Sequence, residues 1–289
     1  MPAPFHSSAN ALFDTEVRQV RRLSPGFVRI TLTGAHLNRF AAHGLDQRIK
    51  ILVPAGPYPA AFADEQLHES EWRRRWRDLP VGDRPALRSY TTSAVRPDQR
   101  EVDLDFYVHA RPGPASSWAV AARAGQRLLV SGPSSRLSEN RHGIQWSPGM
   151  ATQVLLAGDE TAFPAIRGIV LALHPLTRAT IILEAGDPAD AAWLTRDIRH
   201  HPVTVHRRGP ADEGAALLRA VEDWSRAAGA GAGGLGEDFY AWLAAESRQV
   251  AQLRDQLHRT GIAPERVHAQ GYWNDRARDT APAREFRIG

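Results

Sequence analysis

Hydrophobic and polar residues alternate through the first half of the chain. Apolar residues occupy every second position over 28–32, 49–53 and 102–108. A period of two is typical of a half-buried β-strand. Turn signals rich in Gly and Pro separate these runs, and a helix is predicted over 114–123 before a strand over 127–131. This half therefore predicts an antiparallel β-barrel or sandwich.

The pattern changes after residues 138–152, a segment with Gly, Pro, Ser and Asn that is interpreted as a linker. Short apolar runs then alternate with helical segments. The predicted strands cover 154–157, 179–183, 203–206, 239–244 and 267–270, and the predicted helices cover 165–173, 189–197, 215–226 and 247–260. This alternation predicts a parallel sheet covered on both faces. We therefore expect two domains, residues 10–137 and residues 153–289.

Composition narrows the class of protein. The chain has 289 residues, room for about two domains, and no apolar run approaches the roughly 18 residues of a membrane span. The first residues do not resemble a secretion signal, so we expect a cytoplasmic protein. The absence of cysteine excludes disulfides, Cys-ligated iron–sulfur clusters and thiol catalysis. The net charge of +4 favours anionic ligands, but no nucleic-acid-binding motif is present.

The first candidate for chemistry is the segment 88–93, Arg-Ser-Tyr-Thr-Thr-Ser. A cation, an aromatic ring and a hydroxyl on one strand suit a flavin nucleotide. Arg88 can pair with a phosphate, Tyr90 can cover the isoalloxazine ring, and Thr91 can bond the polar edge of that ring. Strands often carry such residues on an exposed face, so this segment alone leaves both interpretations open.

A second motif, residues 109–118, reads His-Ala-Arg-Pro-Gly-Pro-Ala-Ser-Ser-Trp. Gly113 and Pro114 open a predicted helix whose first turn has small residues. A helix N-terminus presents unpaired N–H groups, and small side chains let an anion approach them closely. The motif therefore suits a pyrophosphate, and an ordinary capped helix is the alternative.

Two further motifs lie in the second half. Residues 156–166, Leu-Ala-Gly-Asp-Glu-Thr-Ala-Phe-Pro-Ala-Ile, predict a strand, a tight turn and a helix. This turn would lie at the carboxyl edge of a parallel sheet, where nucleotides bind. Residues 239–246 end in small residues and Glu246, which would admit a nicotinamide ring; a plain buried strand is the alternative. Asp159 and Glu160 are either an acid pair or simply complement the helix dipole.

In this order and at these spacings, the four motifs and Tyr272-Trp273 resemble the siderophore-interacting proteins. These are FAD-dependent ferric-siderophore reductases of the ferredoxin-reductase superfamily. The resemblance covers about residues 14–274, and 158–165 is its most specific part. It implies an N-terminal antiparallel β-barrel that binds FAD and a C-terminal α/β parallel-sheet domain that binds NADPH or NADH. It also implies a protein that reduces an Fe(III)-siderophore and releases Fe(II). We expect this protein to be a monomer.

The resemblance implies sets of site residues, with the flavin rather than a side chain carrying the chemistry and no resident metal. The FAD-binding set is Arg88, Ser89, Tyr90, Thr91, His109, Ala110, Gly113, Pro114, Ala115, Ser116 and Trp118. The NAD(P)H-binding set is Gly158, Asp159, Thr161, Ala162, Pro164, Arg207, Ala245 and Glu246. Basic residues beside the flavin would attract an anionic chelate, and the candidates are Arg48, Lys50 and Arg136. A solvated surface charge is the alternative for each of these three.

Two positions depart from the family pattern. The pattern Arg-x-Tyr-Thr-x-Arg has Ser93 in place of its second arginine, and Arg96 would replace it only if the following turn folds back. The family's Ala-Gly-Glu is Ala244-Ala245-Glu246 here, which adds a methyl group where the nicotinamide should pass. Two alternatives stay open: a flavin reductase for a non-siderophore acceptor, and a non-enzymatic flavin or siderophore binder, which these two departures favour. The sequence also does not choose between NADH, NADPH and a ferredoxin-type protein as the electron donor.

Overall fold

A closed six-stranded antiparallel barrel forms the first half of the protein in the computed structural model, which describes residues 9–62, 67–137, 142–209, 214–228, 235, 236 and 238–274. Its strands are β1 (Asn10–Arg22), β2 (Phe27–Thr33), β3 (Arg48–Val53), β4 (Ala86–Arg96), β5 (Glu101–Tyr107) and β6 (Arg127–Pro133). They are hydrogen-bonded in the order β1-β2-β5-β4-β3-β6. The alternation read from the sequence places residues such as Ile30, Leu104 and Val130 in the barrel interior. The prediction of a barrel is confirmed.

Two helices complete this half. Helix α1 (Glu69–Asp78) lies between β3 and β4, and helix α2 (Pro114–Ala121) lies between β5 and β6. Trp72 anchors α1, because its indole is fully buried and its Nε1 donates a hydrogen bond to Ser131 Oγ at 3.1 Å. Ala115 and Ala119 pack α2 against the interior cluster of the barrel. The start of α2 is thereby fixed beside the end of β5.

The second half is a five-stranded parallel sheet, as predicted. Its strands are β7 (Gln153–Gly158), β8 (Arg178–Ala185), β9 (Val203–Arg207), β10 (Phe239–Glu246) and β11 (Val267–Trp273), in the order β11-β10-β7-β8-β9. Its helices are α3 (Phe163–Leu171), α4 (Ala192–Asp197), α5 (Ala215–Ala227) and α6 (Ser247–Arg259). The first two pack on one face of the sheet and the last two on the other. Within the described residues, no helix is long and apolar enough to cross a membrane.

The segment interpreted as a linker is described only from residue 142, since 138–141 lie outside the described residues. Its described part contains no helix or strand. The carbonyl of Gly143 accepts a hydrogen bond from the Arg48 amide at 2.8 Å. The Asp46 carboxylate accepts the amides of Gln145 and Trp146 at 3.1–3.2 Å. The segment is therefore held along the start of β3.

Phe27 of the barrel belongs to the core of the second half. Its ring lies 5.7 Å from that of Phe163 and 5.2 Å from that of Trp193, centroid to centroid. Gly168 of α3 allows a similarly close approach, because a Cβ atom there would collide with the carbonyl oxygen of Leu45. Shared apolar packing of this kind fixes the relative position of the two halves.

Buried acids reinforce this interface. Asp46 of the barrel accepts a hydrogen bond from Trp242 Nε1 in β10 at 3.1 Å. Asp190 accepts Ser24 Oγ at 2.7 Å and the Gly26 amide at 2.6 Å. Only glycine fits at position 26, since a Cβ atom would collide with the Asp190 carboxylate. These contacts join the segment before β3 to β10, and the turn between β1 and β2 to the segment before α4.

Candidate functional site

The aromatic residues of the first two motifs meet at one end of the barrel. The ring of Tyr90 in β4 lies 4.5 Å from that of Phe106, and the Phe106 ring lies 5.9 Å from Trp118 in α2. Burial raises the pKa of the Tyr90 phenol, so this ring stays neutral. Phe106 therefore contacts both Tyr90 and Trp118, two residues that are predicted to bind FAD. The sequence did not single out Phe106 as part of this site.

Arg88 and Thr91 lie on the same strand with different surroundings. Arg88 is half-buried, its Nη1 donates to the Leu87 carbonyl at 2.9 Å, and it has no carboxylate partner within the described part of the chain. Its guanidinium is therefore available to a phosphate. The buried Thr91 side chain hydrogen-bonds the phenol of Tyr272 in β11. The flavin motif thus touches the last strand of the second half.

The N-terminus of α2 is open to a ligand. Gly113 at the N-cap provides no side-chain cap, and no atom lies within 4 Å of where a Cβ would stand. Ala115 and Ser116 are buried, whereas Ala110 and Pro114 are exposed. Ser116 Oγ donates to the Tyr107 carbonyl at 3.1 Å, which holds the first turn on β5. The uncapped amides and small side chains at this helix start form a donor set that fits the pyrophosphate of FAD.

An arginine does stand beside Ser93, and it comes from a neighbouring strand. Arg29 Nη2 in β2 donates to Ser93 Oγ at 2.9 Å and to Asp105 Oδ2 at 2.8 Å. The turn after β4 does not bring Arg96 back, because Arg96 binds Asp103 at 2.7 and 2.8 Å. An arginine from another strand therefore lies beside Ser93, but its charge is paired with the buried Asp105 carboxylate.

The turn after β7 is built around Asp159. Its Oδ1 accepts the Thr161 amide at 2.9 Å, and its Oδ2 accepts Trp273 Nε1 at 2.7 Å. Burial, reinforced by the charge of Glu160, raises the pKa of the Asp159 carboxyl. Thr161 is partly exposed, but Ala162 and Pro164 are buried. Of these three predicted nicotinamide contacts, Thr161 is the one with a solvent-exposed surface that a ligand can contact.

Glu160 receives donors from three different elements. Its Oε1 accepts the Tyr107 hydroxyl at 2.9 Å and the Gly186 amide at 2.8 Å, and its Oε2 pairs with Arg208. Arg208 Nε also donates to Glu184 Oε1 at 2.8 Å. The sequence predicted the neighbouring Arg207 as an NAD(P)H contact, and this residue is exposed at the end of β9. The residue that enters the acid cluster is thus Arg208.

The extra methyl group, that of Ala245, lies near the end of β10. Ala245 is fully buried in the cluster formed with α5 and α6, on the face of the sheet away from Phe27. The methyl group therefore points away from the barrel. Glu246 caps α6, since its Oε2 accepts the amides of Arg248 at 2.7 Å and Gln249 at 3.2 Å. Gly158 lies beside this strand, where a Cβ atom would strike Ala162 and the Ala244 carbonyl.

His109 and Trp273 connect the two nucleotide motifs. The His109 ring lies 4.8 Å from that of Tyr107 and 5.7 Å from that of Trp273, whose indole binds Asp159. Burial lowers the pKa of His109, which favours the neutral imidazole. The two motifs thus meet in one continuous set of contacts across the domain interface.

A basic pair lies on the strand next to β4. Lys50 Nζ donates to Ser89 Oγ at 2.5 Å, and Arg48 Nη2 donates to the same oxygen at 3.1 Å. Burial and the nearby charge of Arg48 lower the pKa of Lys50 to about 8. Arg136 is exposed on the turn after β6, where its backbone amide donates to Ser134 Oγ at 3.4 Å. The structure brings together Arg48 and Lys50 of the three predicted chelate contacts.

A flavin motif on an antiparallel barrel that faces the carboxyl edge of a parallel sheet is the arrangement of a flavin-binding domain joined to a nucleotide-binding domain. The chain matches the siderophore-interacting FAD-binding domain over residues 16–137 and the siderophore-interacting protein domain over residues 151–276. It belongs to the siderophore-interacting protein family.

Individual relatives support this family assignment. An uncharacterized protein of Mycobacterium tuberculosis is 31% identical over 204 residues, which span 68% of this chain and 66% of that protein. The NADPH-dependent ferric-chelate reductase of Escherichia coli is 27% identical over 265 residues, or 89% and 91% of the two chains. The crystal structure of a siderophore-interacting protein from Aeromonas hydrophila has 27% identity and a TM-score of 0.66, covering 92% of this chain and 93% of that one. The reductase from a carbazole dioxygenase system, at 14% identity and TM-score 0.57, shares the fold alone.

Proposed function

We propose that this protein reduces the Fe(III) of a siderophore with electrons from NAD(P)H and thereby releases Fe(II). The observation that carries the proposal is the meeting of the FAD motif and the nicotinamide motif at Tyr107, His109 and Trp273. Its similarity to the ferric-chelate reductase of E. coli supports the choice of reaction. Siderophore oxygen donors hold Fe²⁺ much less tightly than Fe³⁺, so reduction favours release.

The residues of the barrel would hold FAD. Arg88 and the first turn of α2 would bind the pyrophosphate, and Tyr90 and Thr91 would position the ring. The chemistry that FAD supplies is acceptance of a hydride from NAD(P)H and delivery of single electrons to iron. The turn formed by Gly158, Asp159 and Thr161 would orient the nicotinamide toward that ring.

The basic pair would bind the chelate. Lys50 and Arg48 lie on β3, directly beside the flavin strand, and share the Ser89 hydroxyl. Lys50 is partly buried and lies beside the exposed Arg48, and its charge attracts an anionic ferric chelate more strongly than a fully solvated one, since screening by solvent is weaker there. Arg136 would contribute a longer-range attraction from the surface. We expect the protein to act as a monomer in the cytoplasm, where NAD(P)H is available.

Reconstitution tests this proposal. The purified protein is titrated with FAD, mixed anaerobically with NADPH or NADH, and then mixed with ferric tris-catecholate or a ferric trihydroxamate in the presence of an Fe²⁺ indicator. The proposal expects FAD binding, bleaching of the flavin by NAD(P)H, and coloured Fe²⁺ complex. Bleaching by a reduced ferredoxin but not by NAD(P)H identifies a protein donor, and bleaching without Fe²⁺ identifies a flavin reductase for another acceptor. Failure to bind FAD identifies a non-enzymatic binder. Each of these three outcomes overturns the proposal.

A further inference from the structure

Tyr107, the last residue of β5, makes contacts with both nucleotide motifs. Its carbonyl accepts Ser116 Oγ at 3.1 Å from the helix that would bind the FAD pyrophosphate. Its ring packs edge-on against His109 at 4.8 Å. Its hydroxyl donates to Glu160 at 2.9 Å, in the turn that would bind the nicotinamide. One residue is therefore bonded to both predicted cofactor sites.

Glu160 is rigidly held at the other end of this link. The residue is 1% exposed, and its remaining donors are the Gly186 amide and the Arg208 guanidinium. Arg208 in turn binds Glu184, whose Oε2 accepts the Leu217 amide at 2.9 Å. The phenol hydroxyl is thus attached to a carboxylate that two donors of the second half, the Gly186 amide and the Arg208 guanidinium, fix in place.

We propose that the Tyr107–Glu160 hydrogen bond sets the distance between the flavin ring and the nicotinamide ring, which makes Tyr107 a positioning residue for hydride transfer. This role rests on the proposed function. Hydride transfer depends steeply on separation, and a displacement of about 1 Å costs on the order of a hundred-fold in rate. A hydrogen bond that joins the two sites directly is well placed to control that separation.

Removal of the Tyr107 hydroxyl alone tests the Tyr107–Glu160 hydrogen bond separately from the packing of the ring. In Tyr107→Phe the ring still packs against Phe27, whose centroid lies 5.3 Å away, and Glu160 keeps two of its three donors. The fold should therefore persist. Tyr58→Phe is the matched control, because its buried hydroxyl also makes hydrogen bonds, to Leu52 and Leu129, but entirely within the barrel.

The experiment compares wild type, Tyr107→Phe and Tyr58→Phe in three measurements. We expect the dissociation constant for FAD to stay within two-fold for all three proteins. Hydrogen–deuterium exchange of the apoprotein should rise at residues 159–163 in Tyr107→Phe only. The anaerobic rate of flavin bleaching by saturating NAD(P)H should fall about ten-fold or more in Tyr107→Phe, with little change in the NAD(P)H concentration at half-maximal rate. Tyr58→Phe should bleach at the wild-type rate.

The outcomes separate this inference from the proposed function. If Tyr107→Phe bleaches as fast as wild type, or if Tyr58→Phe slows equally, Tyr107 has no positioning role although the reductase proposal stands. If wild type binds FAD but NAD(P)H never bleaches it, the hydride step itself is absent, and both the proposed function and this role are overturned.

Discussion

The guanidinium of Arg29 bonds the hydroxyl of Ser93 at 2.9 Å, across two strands that are not adjacent in the barrel. Both side chains bind the carboxylate of Asp105, which lies on the strand between them. A backbone contact extends the cluster to the second half, since Arg167 Nη1 of α3 donates to the Ser93 carbonyl at 3.1 Å. The cluster therefore stabilises the flavin strand and ties it to the other domain.

Arg29→Ala should destabilise the protein strongly. The Asp105 side chain is fully buried and that of Arg29 is 13% exposed, so the substitution leaves a buried carboxylate without its cation. The expected loss of unfolding free energy is about 3–5 kcal/mol, measured by urea denaturation. Arg226→Ala, which breaks an exposed pair with Glu222, should cost at most about 1 kcal/mol. Equal losses of unfolding free energy in the two variants would show that the buried cluster stabilises the protein no more than an exposed ion pair does.

Ser93→Arg, which restores the family's residue, should not tighten FAD binding. A second guanidinium would crowd Arg29 at one carboxylate, and overpacking of this kind costs about 1–3 kcal/mol. Ser93→Ala should be milder, because it removes one hydrogen bond worth about 0.5–1.5 kcal/mol. Thermal midpoints and FAD titrations of both variants test this. Tighter FAD binding in Ser93→Arg would mean that Arg29 does not fill the role of the missing arginine.

Arg88→Ala should weaken FAD binding by about 10- to 100-fold. A charge-assisted hydrogen bond is worth about 1.5–3 kcal/mol, and each 1.4 kcal/mol corresponds to about ten-fold in affinity. Fluorescence quenching during FAD titration measures the effect. Arg84→Ala is the control, because Arg84 precedes the strand and its hydrogen bonds go to the backbone of Leu79 and Arg77. A wild-type affinity in Arg88→Ala would exclude a phosphate contact.

Lys50 should make chelate reduction depend on pH. Its pKa is lowered to about 8, so the side chain is a cation below that pH and neutral above it. The KM for an anionic ferric chelate should therefore rise as pH increases through about 8, with kcat little changed. Lys50→Arg should keep the low KM at higher pH, whereas Lys50→Gln should have a high KM throughout. A pH profile of KM that is the same in wild type and Lys50→Gln would contradict this role.

The elements of the fold were largely predictable because their signals are local. The strand predicted over 49–53 is observed at Arg48–Val53, and the helix predicted over 247–260 is observed at Ser247–Arg259. Each has a regular period of apolar positions, and Glu246 caps the helix as carboxylates often do. Strand β1 carried a weaker signal, since its second half, from Arg18 to Arg22, is mostly exposed.

The contacts that complete the site depend on tertiary structure. Arg29 lies 64 residues from Ser93, and their approach is set by the register of β2 and β4 on β5. Arg208, directly after β9, rather than Arg207 faces the acids. Its amide still donates to the Ala185 carbonyl of β8 at 2.8 Å, and successive residues of an extended chain point to opposite faces. The eight residues of β10 are all buried, so no polar alternation indicated which face receives the Ala245 methyl. These three positions could not be assigned from one sequence.

The stoichiometry of iron release tests the central claim most directly. NADPH in limiting amount is added anaerobically to the FAD-loaded protein with excess ferric siderophore and an Fe²⁺ indicator. Because a hydride carries two electrons and each Fe³⁺ takes one, we predict two Fe²⁺ per NADPH oxidised. A flavin that is bleached by NADPH and remains bleached, with no Fe²⁺ formed, would contradict the account.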